Sequence, residues 1–133
     1  MSQTPRVLLI DDNPPDLVLH RIAFEEAGYP VELASYEKAA EALRDITSAT
    51  LKPDLILLDI NMPGMDGWEF AEAYEQLPEV QRTGTIVMML TTSLNPDDRK
   101  RAERCGVIGR FYSKPLTPEM IEDMLQAHGF LDS

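Results

Sequence analysis

The chain has 133 residues, one cysteine, and a formal net charge of −11 from 23 acidic and 12 basic residues. This length suits one domain with one substantial core, and the negative charge argues against direct nucleic-acid binding, which draws its affinity from phosphate contacts. A lone cysteine excludes a disulfide framework, and no apolar stretch approaches the ~20 residues that cross a bilayer. We therefore expect a cytoplasmic protein that does not associate with membranes.

Five short apolar runs alternate with amphipathic segments along the chain. Continuous apolar runs with turn residues behind them are typical of strands that are buried on both faces. The predicted strands are 6–11, 31–35, 54–59, 85–91 and 108–113. Apolar residues at helical spacing predict a first helix whose core face includes Leu19, Ile22, Ala23 and Ala27. Further helices are predicted around 39–46, 70–77, 96–105 and 121–125. This alternation predicts a five-stranded parallel sheet with helices on both faces.

Individual residues predict two helix ends and one weakly packed helix. Gly28 is typical of a C-terminal cap, and Thr117 of an N-cap, because a proline and an acidic residue follow it. The helix 96–105 differs from the others because its later turns offer only Ala102 and Cys105 as apolar contacts. Since buried apolar area contributes about 25 cal/mol per Å², we predict that this is the least firmly anchored helix.

Three aspartates follow two of the predicted strands where each strand ends. Asp11 and Asp12 come after the apolar run at 7–10, and Asp59 comes after the run at 55–58. Ligands bind outside the carboxyl ends of parallel strands, so the three carboxylates converge if these strands are neighbours. At ~4 Å and an effective dielectric near 20, each carboxylate pair repels by about 4 kcal/mol. Such a cluster needs a cation or protons, and we predict a divalent-metal site.

Two further polar side chains are predicted at the same edge of the sheet. Thr91 ends the strand 85–91, and Lys114 follows the strand 108–113. Asp59 could attack phosphorus as a nucleophile, provided that a metal offsets charge on the incoming oxygens. Asp11 and Asp12 could hold Mg²⁺, which prefers oxygen ligands. A carboxylate nucleophile, a hydroxyl and an ammonium group together match the needs of a transferring phosphoryl group.

With these residues the chain resembles the receiver domains of two-component response regulators, the CheY-like family, over residues 5–128. The motifs that carry the resemblance are Asp11-Asp12, the segment Asp-Ile-Asn-Met-Pro-Gly-Met-Asp-Gly at 59–67, Thr91, and Lys114-Pro115. The resemblance implies a flavodoxin-like (βα)5 fold, a doubly wound parallel sheet in the order 2-1-3-4-5. It also implies a single receiver domain over 1–133 with no output domain.

The resemblance implies a role for each acidic residue. Asp59 would be the phosphoacceptor. Asp12 and Asp59 would bind Mg²⁺ directly, together with the backbone carbonyl of Asn61, and Asp11 would act through water.

Other residues would respond to the phosphoryl group. Lys114 would pair with Asp59 or with phosphoryl oxygens, and Thr91 would hydrogen-bond one of those oxygens. Phe111 would be the switch aromatic, which fills the space that Thr91 opens. The Lys114–Pro115 bond is expected to be cis, since an X-Pro bond has a low cis penalty. Gly67 is interpreted as a residue that the backbone conformation of the turn requires.

Three residues would flank the path of a hydrolytic water, namely Asn61, Thr92 and Ser93. We expect them to modulate how long the phosphoryl group persists. His20 and His128 show no partner spacing, and neither is assigned a role in phosphotransfer.

The implied function is a phosphorylation-operated switch rather than an enzyme. A histidine kinase or a histidine phosphotransfer protein would donate to Asp59, and the helix 96–105 and the strand 108–113 would then shift. An unidentified downstream protein would bind this face, which also offers a homodimer interface together with the C-terminal helix. Half of all the basic residues lie close together here and predict a surface for an acidic partner: Arg99, Lys100, Arg101, Arg104, Arg110 and Lys114.

Three alternatives differ from this interpretation in specific residues. A phosphatase of the haloacid dehalogenase class needs a second aspartate where the chain has Asn61, and a cap domain for which it lacks room. A flavodoxin shares the sheet order, but its first loop binds a phosphate that Asp11 and Asp12 would repel. A degenerate receiver would act as an unphosphorylated scaffold, and the intact five-residue site argues against it.

Overall fold

The computed structural model describes residues 4–48, 50–60, 62–91, 96–106, 108–127 and 129. The strands are β1 (Arg6–Ile10), β2 (Glu32–Tyr36), β3 (Leu55–Asp59), β4 (Ile86–Thr91) and β5 (Ile108–Ser113). The helices among these residues are α1 (Pro14–Ala27), α2 (Ala39–Thr47), α3 (Gly67–Glu75), α4 (Glu79–Arg82), α5 (Pro96–Arg104) and α6 (Pro118–Ala127). The one-turn helix α4 was not predicted. In the described part of the chain, no helix has the length and apolar character needed to cross a membrane.

The five strands form one parallel sheet in the order β2-β1-β3-β4-β5, which confirms the predicted fold. Strands β1 and β3 are neighbours, with Val7 opposite Leu55 and Ile10 opposite Leu58. All residues of these two strands except Arg6 are buried, as expected for strands covered on both faces. The edge strands β2 and β5 are only partly buried.

Helices cover both faces of the sheet, and strand residues alternate between two apolar clusters. Leu8 and Ile10 point into a cluster with residues of α2 and α3. Val7 and Leu9 point into a second cluster with residues of α1 and α6. The five-stranded sheet therefore lies between two packed layers of helices, and this packing fixes the positions of the strand ends.

The buried face of α1 differs from the prediction. The expectation that Leu19 and Ile22 face the core is wrong, because these side chains are 57% and 41% exposed. Helical spacing in this segment also allows a second face, which contains His20. The histidine is buried instead, because Asp11 provides it with a partner. The buried face is Leu17, His20, Ala23 and Phe24.

The two predicted helix ends are present. Gly28 ends α1 in the left-handed conformation with φ 80°, and its N–H donates to the carbonyl of Phe24. The hydroxyl of Thr117 accepts a hydrogen bond from the N–H of Met120 at 3.2 Å, so it caps the start of α6.

Arg101 of helix α5 contacts α3. Ala102 is the buried residue of α5. The guanidinium of Arg101 lies 4.8 Å from the ring centroid of Trp68, which belongs to α3, and its Nη2 lies 3.6 Å from Glu72. A cation over an indole ring contributes about 0.5–1 kcal/mol at an exposed site. The small apolar contact matches the pattern from which weak anchoring was predicted.

The basic residues at 99–114 do not form one surface. Arg101 is directed to Trp68, Arg110 donates to Asp123 of α6 at 2.8 Å, and Lys114 is directed into a group of carboxylates. The prediction of one six-residue basic surface is therefore wrong, because acidic partners from different elements separate these side chains.

Candidate functional site

The carboxyl ends of four strands meet at one edge of the sheet. Asp11 directly follows β1, Asp59 is the last residue of β3, Thr91 is the last residue of β4, and Lys114 directly follows β5. Asp59 lies opposite Leu90, and Thr91 lies opposite Ser113, so the strands end in register. The fold thus brings together side chains that the sequence separates by about a hundred positions.

Asp11, Asp12 and Asp59 form an acidic cluster. Each offers a carboxylate oxygen, and these oxygens lie within 4.8 Å of one another. Asp11 is 1% exposed and Asp59 is 8% exposed, while Asp12 is more accessible. Hard oxygen ligands of this kind fit Mg²⁺, which usually binds one or two carboxylates directly and retains several waters.

Lys114 is the cation of the site, and its side chain is only 9% exposed. Its Nζ lies 2.7 Å from Oδ2 of Asp11, 2.9 Å from Oδ2 of Asp16, and 3.5 Å from Oδ1 of Asp59. The pairing with Asp59 that the resemblance implied is therefore the longest of three ion pairs.

The two buried carboxylates have opposite pKa shifts. Burial raises the pKa of Asp59, and the charge of Lys114 offsets this only in part, while the negative charge of Asp11 raises it further. Burial also acts on Asp11, but hydrogen bonds with His20, Lys114 and the N–H of Asn13 lower its pKa below the usual value. Asp11 is therefore the carboxylate whose charge the protein stabilises, and Asp59 is the one whose charge it leaves less compensated.

The pKa of Lys114 is also shifted. Burial lowers the pKa, but hydrogen bonds to Asp11 and Asp16 outweigh burial, so the pKa lies above its usual value of 10.5. Lys114 is charged at neutral pH and supplies a fixed positive charge to the acidic cluster.

Two residues of α1 belong to the site and were not predicted. Asp16 accepts a hydrogen bond from Lys114, and His20 is 4% exposed with Nε2 at 3.3 Å from Oδ2 of Asp11. The Nδ1 atom of His20 is buried without a hydrogen-bond partner among the described residues. The i, i+4 spacing of Asp16 and His20 places them on one face of α1, just after Asp11, and this was the available signal.

The loop after Asp59 is closely packed against the start of α3. The N–H of Gly67 donates to the carbonyl of Ile60 at 2.9 Å, and Asp66 and Glu69 form a reciprocal capping box. A Cβ at position 67 would lie 2.5 Å from the carbonyl oxygen of Asp59. Gly67 has an ordinary φ, so the structure requires this glycine for space and not for the backbone conformation that was predicted.

The strand ends at Thr91 and Lys114 are connected through the backbone. The N–H of Lys114 donates to the carbonyl of Thr91 at 2.7 Å, and the Lys114–Pro115 bond is cis. Thr91 is buried. Phe111 is partly buried against the cluster that contains α2 and α3, while Tyr112 packs in the other cluster and donates to Asp123.

Four residues considered in the sequence lie outside the described part of the chain. They are Asn61, Thr92, Ser93 and His128.

The fold and the site together define a CheY-like α/β protein with an acidic cluster and a lysine at the carboxyl edge of its sheet. The sequence profile of the response regulator receiver domain matches residues 7–126. The chain belongs to this family.

Individual relatives support the assignment. The sensor histidine kinase GacS of Pseudomonas protegens is 30% identical over 125 residues, which are 93% of this chain and 13% of that kinase. The chain therefore spans about an eighth of the length of this relative. A two-component response regulator from Cytophaga hutchinsonii is 29% identical, with a TM-score of 0.84 over 95% of this chain and 98% of its own. The chemotaxis protein CheY4 of Vibrio cholerae is 29% identical, with a TM-score of 0.77 over 94% and 98%.

Proposed function

We propose that this receiver domain accepts a phosphoryl group on Asp59 from a histidine kinase or a histidine phosphotransfer protein. The observation that carries the proposal is the position of Asp59, at the end of β3 beside two further carboxylates and 3.5 Å from the ammonium of Lys114. The charge of Asp59 is also less compensated by its surroundings than the charge of Asp11.

The chain's own groups support each part of the transfer. The N–H of Ile60 donates to Oδ1 of Asp59 at 3.0 Å and orients the carboxylate. An oxygen of Asp59 bonds to phosphorus while the bond from phosphorus to the donor's histidine nitrogen breaks. Mg²⁺ held by the oxygens of Asp12 and Asp59, and by Asp11 through water, would offset the charge of the phosphoryl oxygens. Lys114 supplies a second positive charge beside the acceptor.

Phosphorylation would change the conformation of the face formed by α5 and β5. Thr91 ends the strand next to Asp59, and a hydrogen bond from its hydroxyl to a phosphoryl oxygen would draw it toward the site. Phe111 is only partly buried, so it has packing to gain by moving inward. A cavity of about 180 Å³ lies between α5 and β5, next to Phe111 and Ala102. A downstream protein or a second copy of the chain would bind this face with an affinity that depends on whether Asp59 is phosphorylated.

The exposed apolar residues of α1 are the surface we assign to the phosphoryl donor. Val18, Leu19 and Ile22 are 55%, 57% and 41% exposed. Leu19 also lines a cavity of about 230 Å³ together with Lys114 and Pro115, so this surface adjoins the site. A helix of a donor protein bound here would bring its phosphorylated histidine near Asp59.

Replacement of Leu19 by glutamate is expected to slow transfer from a protein donor about tenfold, since loss of an apolar contact at the packed centre of an interface costs more than about 1 kcal/mol. Labelling by acetyl phosphate, which needs no docking surface, should not change. The measurement compares both rates, with a phosphorylated histidine protein that labels the unmodified chain as the donor. Val80→Glu is the matched control, because Val80 is 80% exposed on α4. Equal slowing with both donors would contradict the assignment.

Intact-mass spectrometry after incubation with acetyl phosphate tests the function itself. One added phosphoryl group is expected with Mg²⁺, and none without Mg²⁺ or in Asp59→Asn. Asp54→Asn is the matched control, because Asp54 precedes the opposite end of β3, and it should be labelled like the unmodified chain. Labelling of Asp59→Asn, or no labelling of the unmodified chain, would overturn the proposal.

Asp59→Asn is also expected to stabilise the metal-free protein near neutral pH, because it removes a buried negative charge that its surroundings compensate only in part. The pKa of Asp59 is raised in the folded state, so its ionisation favours the unfolded chain. This penalty begins as the pH rises through the usual value of 3.8 and is complete above the folded-state pKa. Urea unfolding of both proteins across this range should show the difference growing with pH. A variant that is less stable near neutrality would contradict it.

A further inference from the structure

Lys114 is shared among three carboxylates, and the two nearest are not the proposed acceptor. An ammonium group has three N–H donors. Here it donates to Asp11 at 2.7 Å and to Asp16 at 2.9 Å, whereas Asp59 is 3.5 Å away. Charge-assisted hydrogen bonds are typically about 2.7–2.9 Å long, so the contact with Asp59 lies outside this range. Lys114 is therefore held mainly by the other two aspartates.

The position of Asp16 explains how it competes for Lys114. Asp16 lies in the first turn of α1, one turn before His20, which contacts Asp11. The side chain of Asp16 is 28% exposed, compared with 2% for Asp11. Asp16 thus lies at the outer side of the site, where its carboxylate can hold the ammonium without being part of the acidic cluster.

We propose that Asp16 is a positioning residue that holds Lys114 away from Asp59 in the unphosphorylated chain. The proposal rests on the proposed function, because it concerns the lysine that would engage a phosphoryl group on Asp59. The third N–H of the ammonium is available for a phosphoryl oxygen there, but shortening the 3.5 Å separation draws the ammonium toward Asp59 and lengthens its contact with Asp16. Asp16 therefore opposes phosphoryl engagement, and its removal makes engagement more favourable.

Lys114 borders a cavity on the side of Asp16. The cavity has a volume of about 230 Å³ and is lined by Asp16, Lys114 and Leu116, among others. The side chain of Lys114 is therefore not enclosed on all sides by packed groups, and the contact with Asp16 is one of the interactions that determine its position.

The test is the affinity of the chain for beryllofluoride, a mimic of the phosphoryl group, measured by calorimetry with Mg²⁺ present. Asp16→Asn is expected to bind beryllofluoride about fivefold more tightly, because the variant loses a competing ion pair that contributes up to ~1 kcal/mol. Glu37→Gln is the matched control. Glu37 is exposed and follows β2 at the same edge of the sheet, so it reports the general effect of removing one negative charge.

The position of Lys114 gives a second measurement that a purely structural role of Asp16 would not change. In a crystal structure of Asp16→Asn without Mg²⁺, Nζ of Lys114 is expected within about 3.0 Å of Asp59. Unchanged or weaker binding of beryllofluoride, a gain equal to that of Glu37→Gln, or a lysine that stays in place would each overturn the proposal. Asp16→Ala repeats the test if the amide variant does not fold. Failure of the unmodified chain to bind beryllofluoride would instead count against the proposed function.

Discussion

Lys114→Met is expected to destabilise the metal-free protein by about 3–5 kcal/mol near neutral pH, because removing one partner of a buried ion pair leaves the other charge uncompensated. Here one ammonium group compensates three carboxylates. Asp11, Asp16 and Asp59 all lie within 3.5 Å of it, and the side chain of Asp11 is only 2% exposed. Methionine has a similar length but no charge, so the change tests electrostatics more than packing.

The pH dependence of this loss follows from the pKa shifts. The pKa of Asp11 is lowered in the folded state, so its contribution is present above 3.8 and is lost as the pH falls through the folded-state value. The pKa of Lys114 is raised, so its contribution is complete below 10.5 and is lost as the pH rises through the folded-state value. The difference between the two proteins should therefore be largest between these limits and should shrink toward acidic pH, where the carboxylates bind protons.

Urea unfolding monitored by circular dichroism measures the effect, with and without Mg²⁺. Added Mg²⁺ is expected to recover part of the lost stability in Lys114→Met, because a bound cation compensates the same carboxylates. Lys38→Met is the matched control, since Lys38 is exposed and its side chain makes no capping hydrogen bond. A loss below 1 kcal/mol would show that the carboxylates do not depend on Lys114, and a loss that Mg²⁺ does not reduce would show that a bound cation does not replace its charge.

Gly67→Ala is expected to destabilise the protein by about 3 kcal/mol or more, at the upper end of the effects of point substitutions. The added Cβ would lie 2.5 Å from the carbonyl oxygen of Asp59 and 2.9 Å from Cα of Ile60. Both contacts are with backbone atoms, so no side chain can move aside to relieve them. The start of α3 and the backbone that carries Asp59 must separate, which also loosens the hydrogen bond between Gly67 and Ile60.

Phosphoryl acceptance should fall in the same variant, because the strained backbone is that of Asp59 itself. Unfolding in urea and the rate of labelling by acetyl phosphate are the two measurements. Gly106→Ala is the matched control, since a Cβ there would meet nothing within 4 Å and the residue has an ordinary φ. If Gly67→Ala were as stable and as readily labelled as Gly106→Ala, the close approach would have no energetic consequence.

The fold could be predicted because its signals are local. Strands such as β1 and β3 are continuous apolar runs, and the turn residues behind them mark their ends. The alternation of strands with amphipathic helices then allows few arrangements of a parallel sheet. The positions of Asp59, Thr91 and Lys114 at one edge follow from the same rule, since the carboxyl ends of parallel strands lie together.

The details that were missed depend on contacts between distant residues. The inward face of α1 could not be chosen by spacing alone, because the partner that makes a buried His20 acceptable is Asp11. The competition of Asp16 for Lys114 joins residues 98 positions apart and has no local pattern. Arg101 and Lys114 were grouped as basic neighbours, but α3 and the acidic cluster draw their side chains to different places.

The pairing of Lys114 with Asp11 also orders events during protein synthesis. These residues are 103 positions apart, and a ribosome adds about 5–20 residues per second, so Asp11 is made about 5–20 s before Lys114. In the later part of that interval, once Asp59 has been made, the nascent chain has both aspartates but lacks the lysine that compensates them. A newly made chain therefore cannot complete this group of charges until β5 has joined the sheet.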